Sequence, residues 1–228
     1  MSDFGMKRPI EKLRSGQSIF VEGEEGTDVF LVVRGAVRFS AVLKDGRRLV
    51  SGFAVEGDHF SLSHNGRHIY SAEAACDLEV RRLVRSQIEE RAAAGEEPWR
   101  RIVAGLESEP WVLQTEMLRL LHRNADESIA SFVLELARRL NPTVSTNSRV
   151  RLDMSRADIA DYLGLTVETV VRSLKRLTRN GPLTANGPHE LRITDLETLQ
   201  KRASGVHSAD TESLSRSDSF QARQPFRA

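Results

Sequence analysis

The stretch Ser155-Arg-Ala-Asp-Ile-Ala-Asp-Tyr-Leu-Gly-Leu-Thr-Val-Glu-Thr-Val-Val-Arg-Ser-Leu-Lys-Arg-Leu177 decides how this chain is read, because two short helices and a tight corner are written into it. Ser155 with Asp158 three residues on has the form of a capping box, and Ile159, Ala160 and Leu163 give the first helix an apolar face. Gly164 supplies the corner and Thr166 can cap a second helix. On that helix Val167, Val170, Leu174 and Leu177 fall on one side, while Glu168, Arg172, Lys175 and Arg179 recur on the other. An apolar back with this polar front suits a helix lying in a DNA major groove, where Arg pairs with guanine and Glu accepts from cytosine. An ordinary solvated helix pair joined by a glycine turn carries a similar pattern, so the rest of the chain has to decide.

Basic and acidic residues nearly balance, 33 against 32, for a formal net charge of +1. The chain is not a polycation, and a nucleic-acid surface must come from local clustering. Residues 172–179 supply such a cluster, with four basic side chains in eight positions. A single cysteine, Cys76, excludes an intramolecular disulfide framework and a four-cysteine iron–sulfur cluster from one chain. No long apolar run or signal peptide is written in the sequence, so a cytoplasmic protein with no membrane partner is expected. At 228 residues there is room for one large domain or two small ones.

From about Leu13 to Leu83 the texture is β. Short apolar stretches at 18–21, 29–33, 36–43, 49–54, 69–74 and 78–83 are separated by glycine turns, and Lys44-Asp-Gly-Arg47 is a hairpin signal. A sandwich, roll or barrel fits. A short helix is expected at 86–94, ending at Gly95. Beyond Pro98, Ile102, Leu106, Leu113, Met117 and Leu120 form a heptad-like stripe suited to an identical helix in a dimer. The alternative is a helix packed on its own β domain, and Pro110 should kink or split it. A further helix, 126–140, carries Ile129, Phe132, Val133 and Leu136 on one face and ends at Asn141-Pro142. After the paired helices, 183–184 and 190–193 flank a turn-rich segment, as in a β-hairpin wing.

In this order the elements resemble the CRP/FNR family of bacterial transcription regulators. Gly16-Gln-Ser-Ile-Phe-Val-Glu-Gly23 and Val32-Val-Arg-Gly-Ala-Val37 resemble the family's β-roll strands. Asn124 to Leu140 looks like the FNR-type entry to the DNA-binding domain, and Asp161 to Arg172 is similar to the FixK branch. The resemblance implies an α+β fold with an N-terminal antiparallel β-roll (cyclic-nucleotide-binding-like), a long dimerisation helix and a C-terminal winged helix-turn-helix. The segments expected are a sensor-like β-roll over 1–95, a dimerisation helix over 96–124, a DNA-binding domain over 125–203 and a disordered tail over 204–228. It also implies a homodimer on a palindromic site with TGA-core half-sites, with RNA polymerase as a further partner. Glu168 and Arg172 would read bases. Val171 stands where these proteins usually carry Ser, leaving its base-edge contact open, and Thr169, Lys175, Arg176 and Arg179 would meet phosphates.

The sensor end departs from the cyclic-nucleotide binders of the family. Their ribose glutamate and phosphate arginine are replaced by the Ser61-Leu62 segment and Tyr70, and an anion buried there would be unpaired. Cyclic AMP is therefore not expected as a ligand, and no cofactor or metal is assigned. A small effector in the β-roll is the runner-up reading. A cupin-like metalloenzyme using His59, His64 and His68 is a further one, although no carboxylate or cysteine completes such a site. Cys76 reads as a buried small hydrophobe. Because residues 204–228 are polar and poor in apolar groups, truncation after Ala203 should leave dimerisation and DNA affinity nearly unchanged. Sedimentation and a DNA titration check this, and a large loss of either would show that the tail docks.

Overall fold

The computed structural model describes residues 8–42, 46, 48–61, 63–97, 99–106, 124–141, 143–179 and 181–205. The N-terminal half is built from two four-stranded antiparallel sheets. One has the order β1 (Ile10–Leu13), β10 (Leu78–Val84), β3 (Asp28–Arg34), β6 (His59–Phe60). The other has the order β2 (Ser18–Phe20), β9 (Ser71–Ala74), β4 (Ala36–Val42), β5 (Arg48–Val55). Strands β3, β4, β5, β9 and β10 fall where apolar runs bounded by glycines predict them. β1, β6 and the small hairpin β7 (Ser63–His64) with β8 (Arg67–His68) are additional, too short to leave a periodic signal. β4 and β5 pair from Ala36↔Val55 to Val42↔Arg48 around the expected hairpin, whose Lys44, Asp45 and Arg47 lie outside the described residues.

Between the sheets the core is aromatic. Phe30 lies 5.5 Å from Phe20 and 5.4 Å from Phe60, and Phe39 lies 5.2 Å from Phe60, ring centre to ring centre. Val32, Val37, Ala54, Leu78 and Val80 fill the spaces between them. Aliphatic side chains of alternating inward residues thus close a roll, as the β texture requires.

Helix α1 (Arg85–Ala93) follows β10, and α2 runs over residues 99–106. Two residues of the expected dimer stripe, Ile102 and Leu106, lie among the described residues. Ile102 and Leu106 are buried against Val29, Leu83, Ile88 and Trp99 of their own chain, because Val29 and Leu83 leave an apolar patch that this helix covers. At this end the helix packs on its own β domain. Leu113, Met117, Leu120 and Pro110 lie outside the described residues, as does the tail from residue 206 onward.

The C-terminal half opens with α3 (Ala125–Leu140), capped reciprocally by Asn124 and Glu127. Then come β11 (Arg149–Arg151), α4 (Arg156–Leu163), α5 (Val167–Arg179), β12 (Leu183–Ala185), β13 (Glu190–Ile193) and α6 (Leu196–Ser204). The three strands form one sheet in the order β11-β13-β12, so the wing hairpin gains a third strand. α6 packs on α3 through Leu199 and Ala203 and has no counterpart in the sequence reading. Among the described residues no helix is long and apolar enough to cross a membrane.

The two halves share a core. Ala36, Val50, Phe53, Val55 and Ala75 of the roll belong to the same buried cluster as Ile129, Phe132, Ile159 and Leu177. Phe53 sits 6.1 Å from Phe132 and 5.4 Å from Tyr162, both edge-on, which is the favoured aromatic geometry.

His68 is buried in the roll, stacked 3.5 Å from the Phe20 ring, with Nδ1 2.8 Å from the Ser61 carbonyl. Burial pulls its pKa below the ordinary 6.5, against the raising influence of the Ser61 carbonyl, Glu24 and Asp28, while Arg85 lowers it further. The unfolded chain takes up the proton at the ordinary value and the folded chain resists it. The corresponding stability is therefore complete above pH 6.5 and is lost as pH falls through and below it. Denaturant midpoints at pH 7.5 and 5.5 should show this loss, and His68→Gln should reduce it. An unchanged slope in the variant would contradict the assignment.

Candidate nucleic-acid interface

The helix pair is formed by the local chemistry that the sequence announces. Ser155 accepts from the Asp158 amide at 3.0 Å, and Asp158 reaches back to the Ser155 amide at 3.2 Å. Gly164 ends α4 at φ 64°, a left-handed conformation that costs any residue with a Cβ. Thr166 then accepts from the Thr169 amide at 3.2 Å, starting α5. Val170, Leu174 and Leu177 of α5 are buried, and so is Ser173. Val167, expected on the apolar side, is 47% exposed, because it occupies the first turn, ahead of the buried stretch that begins at Val170.

The opposite face carries the base-reading candidates. The Glu168 side chain is 87% exposed and the Arg172 side chain 59%, one helical turn apart. Their closest approach is 3.9 Å, so the pair is loose. An exposed pair of this kind contributes about 0.3–0.5 kcal/mol, which a base edge can readily replace. Lys175 and Arg179 are exposed further along and have no ion-pair partner among the described residues. Val171 and Thr169 are half-buried beside this face, and the Thr169 hydroxyl lies 2.9 Å from that of Thr166.

Arg176, expected to meet phosphate, is paired within the chain. Its guanidinium forks onto Asp126 at the start of α3, with Nε 2.8 Å from Oδ2 and Nη2 2.6 Å from Oδ1, and it also donates to Ser173 at 3.0 Å. Burial alone would raise the Asp126 pKa, but the bonds from Arg176 and Ser173 outweigh it and hold the carboxyl below its ordinary range. The hydrogen bond to Asp126 likewise raises Arg176. This charge is committed to fixing α5 on α3, a bidentate geometry that Arg provides best.

Other side chains at this end were not legible in the sequence. Arg156 donates to the Pro188 carbonyl at 2.7 Å and ties the start of α4 to the wing. Asp158 and Asp161 accept from Arg38 and Arg48 of the roll, at 3.2 Å for each arginine on Asp158 and 2.7 Å for Arg48 on Asp161. Arg139 at the end of α3 donates to the Phe53 carbonyl at 2.9 Å and pairs with Asp58. The pairings of α3 and α4 with the roll span 81 to 120 residues of chain, and no local pattern marks them.

At the sensor end, Ser61 is fully buried and donates to the Asp28 carbonyl at 2.9 Å, while Tyr70 packs against the aromatic core. A Cβ built on Gly26 would come within 2.5 Å of the Ser63 Cβ and 3.3 Å of the His68 ring. His68, its Phe20 stack and the small hairpin thus occupy this part of the roll with the chain's own atoms. Among the described residues no group of three or more His, Cys, Asp or Glu side chains is placed to hold a metal ion. Cys76 is half-buried, and burial pushes its thiol pKa up, which disfavours the reactive thiolate.

Comparison with known proteins gives these features a family. Residues 127–202 match the model of a Crp-like helix-turn-helix domain, and residues 10–94 match that of a cyclic nucleotide-binding domain. The nitrogen fixation regulation protein FixK of Bradyrhizobium diazoefficiens is 38% identical over 173 residues, covering 74% of this chain and 71% of that protein. Its namesake in Azorhizobium caulinodans is 35% identical, covering 80% and 74%. Among solved structures, FixK2 from Bradyrhizobium japonicum superposes with a TM-score of 0.73 at 36% identity, over 86% of this chain and 97% of that one. A CRP-family regulator from Thermus thermophilus, at 24% identity and a TM-score of 0.63, shares the fold. These relatives are transcription regulators, and the metalloenzyme alternative finds no support among them. With the β-roll and the helix-turn-helix domain each matched and the FixK proteins matched over 74% or more of the chain, it belongs to the CRP/FNR family of DNA-binding transcription regulators, in its FixK-like branch.

Proposed function

We propose that this regulator binds, as a homodimer, a palindromic DNA site whose half-sites carry a TGA core. The observation that carries the reading is the exposed Glu168–Arg172 pair, one turn apart on the solvent face of a helix whose other face is buried. Arg172 offers two parallel donors to guanine O6 and N7, and Glu168 accepts from cytosine N4. Val171 meets a thymine methyl at most, since it has no hydrogen-bonding group. Lys175, Arg179 and Thr169 contact phosphates, and Arg176 positions the helix through Asp126 instead. Two-fold symmetry places the recognition helices about 34–36 Å apart, one turn of DNA. With Ile102 and Leu106 committed within the chain, the mate is met by Leu113, Met117 and Leu120 of the 96–124 segment. A cytoplasmic regulator working with RNA polymerase follows from the same family reading.

One observation favours effector gating as a second reading. A cleft of about 600 Å³ opens between the roll and the DNA-binding half, lined by Arg14, Arg34, Cys76, Asp77, Arg151 and Asp153 among others. It lies outside the filled aromatic core, so a gating molecule would enter at the junction of the halves.

Binding-site selection on randomised DNA tests the base-reading roles. Arg172→Ala should cost about 1–3 kcal/mol on the specific site and change nonspecific binding less. Glu168→Ala should relax the choice at the cytosine, because the carboxylate penalises any base offering an acceptor there. Lys175→Ala should weaken all sequences alike and flatten the salt dependence. A changed sequence preference from Lys175→Ala with none from Arg172→Ala would reverse the assignment.

A further inference from the structure

The base-reading helix touches DNA, but what aims it is the junction between the halves. Asp158 lies in α4, the helix that carries α5 beyond the Gly164 corner, and its side chain is 3% exposed. A carboxylate so buried requires several donors, or its desolvation is uncompensated. Two come from Ser155, whose hydroxyl is at 2.7 Å and whose amide is at 3.2 Å. The other two come from the roll, Arg38 Nη1 and Arg48 Nη2, each at 3.2 Å. Half of what satisfies this charge therefore belongs to the other half of the molecule.

The arginines are themselves held. Arg38, 15% exposed at its side chain, forks onto Glu73 of β9 through Nε at 3.0 Å and Nη2 at 2.6 Å. Arg48 also donates to Asp161 at 2.7 Å, one turn beyond Asp158 on the same helix face. Beneath these charges Phe53 meets Phe132 and Tyr162, so rotation of α4 against the roll would break ion pairs and open an apolar seam together.

We propose that Arg38 and Arg48 are positioning residues for DNA recognition: by holding Asp158 and Asp161 of α4 they fix the recognition helix on the β-roll in the absence of any effector. They touch no DNA; they set the angle and separation at which two α5 helices of a dimer meet two half-sites. This rests on the DNA-binding reading given above. Fixed aim matters for a palindrome because both helices must enter successive major grooves at once, whereas a lone half-site makes no such demand. The partly exposed Arg48–Asp161 pair is the part of the junction that can be altered without leaving the buried Asp158 wholly unpaired, since Arg38 remains.

The test measures affinity of the full chain for three DNAs: the palindrome, one half-site, and the palindrome with half a turn inserted between half-sites. Wild type should prefer the palindrome over both others. Arg48→Glu places a carboxylate against Asp158 and Asp161, and should weaken the palindrome about tenfold while leaving the half-site within about twofold, so discrimination between spacings falls. The exchange Arg48→Glu with Asp161→Arg should restore palindrome affinity to within about threefold, and Arg48→Lys should retain most of it. Matching thermal midpoints for the variants separate aim from folding. Unchanged palindrome binding by Arg48→Glu overturns the proposal. So does an equal loss on palindrome and half-site, or a failed rescue in a folded double variant. A wild type that ignores all three DNAs overturns the DNA-binding reading as well, and half-site binding tells the two failures apart.

Discussion

The Asp158 carboxylate closes the N-terminus of α4 and at the same time accepts from two arginines of the β-roll, so one buried charge belongs to the DNA-binding half and the sensor-like half together. The surrounding arrangement follows from satisfying it. Arg38 needs Glu73 to hold its fork, β9 must lie beside β4 to supply that glutamate, and Phe53 on β5 is then brought under Phe132 and Tyr162. The result is a hydrophobic core that crosses from roll to helix-turn-helix without a break. Charge gives this junction its register and aromatic packing gives it area, since a buried ion pair alone seldom adds net stability.

The helix-turn-helix was legible because its determinants are local. Ser155 and Asp158 cap α4 as their spacing predicts, Gly164 takes the left-handed corner, and Val170, Leu174 and Leu177 point inward at helical period. The longer strands were legible for the same reason. What escaped the sequence was non-local or brief. The two-residue strands β6, β7 and β8 leave no period to detect, and α6 begins directly after the wing. Arg176 sits in a run of basic residues that suggests a phosphate contact, yet it is spoken for by Asp126, fifty positions away. Ile102 and Leu106 satisfy a heptad spacing equally well against a partner helix or against Val29 and Leu83, and only the fold distinguishes these.

The β-roll matches a cyclic nucleotide-binding domain, and part of its interior is occupied by the chain's own side chains. Ser61 is buried and bonded to the Asp28 carbonyl, Tyr70 packs on the aromatic core, and His68 lies flat on Phe20 close to Gly26. A domain so filled still performs mechanical work. It covers α2, presents Arg38 and Arg48 to α4, and so converts a sensor architecture into a scaffold that aims the recognition helix. Effector gating through the cleft would work between the same two halves at other residues, Arg34 and Asp77 facing Arg151 and Asp153, which makes the unliganded behaviour of the chain decisive.

That behaviour is directly measurable. The chain is purified, unfolded and refolded to strip small molecules, and titrated by fluorescence anisotropy against a TGA-core palindrome and a scrambled duplex at fixed physiological salt. Orientation built into the chain predicts nanomolar specific binding, tighter than nonspecific binding by a factor of at least about 10³, with no addition. Equal affinity for the two duplexes, or specific binding that returns only when a small-molecule extract is restored, would contradict the account.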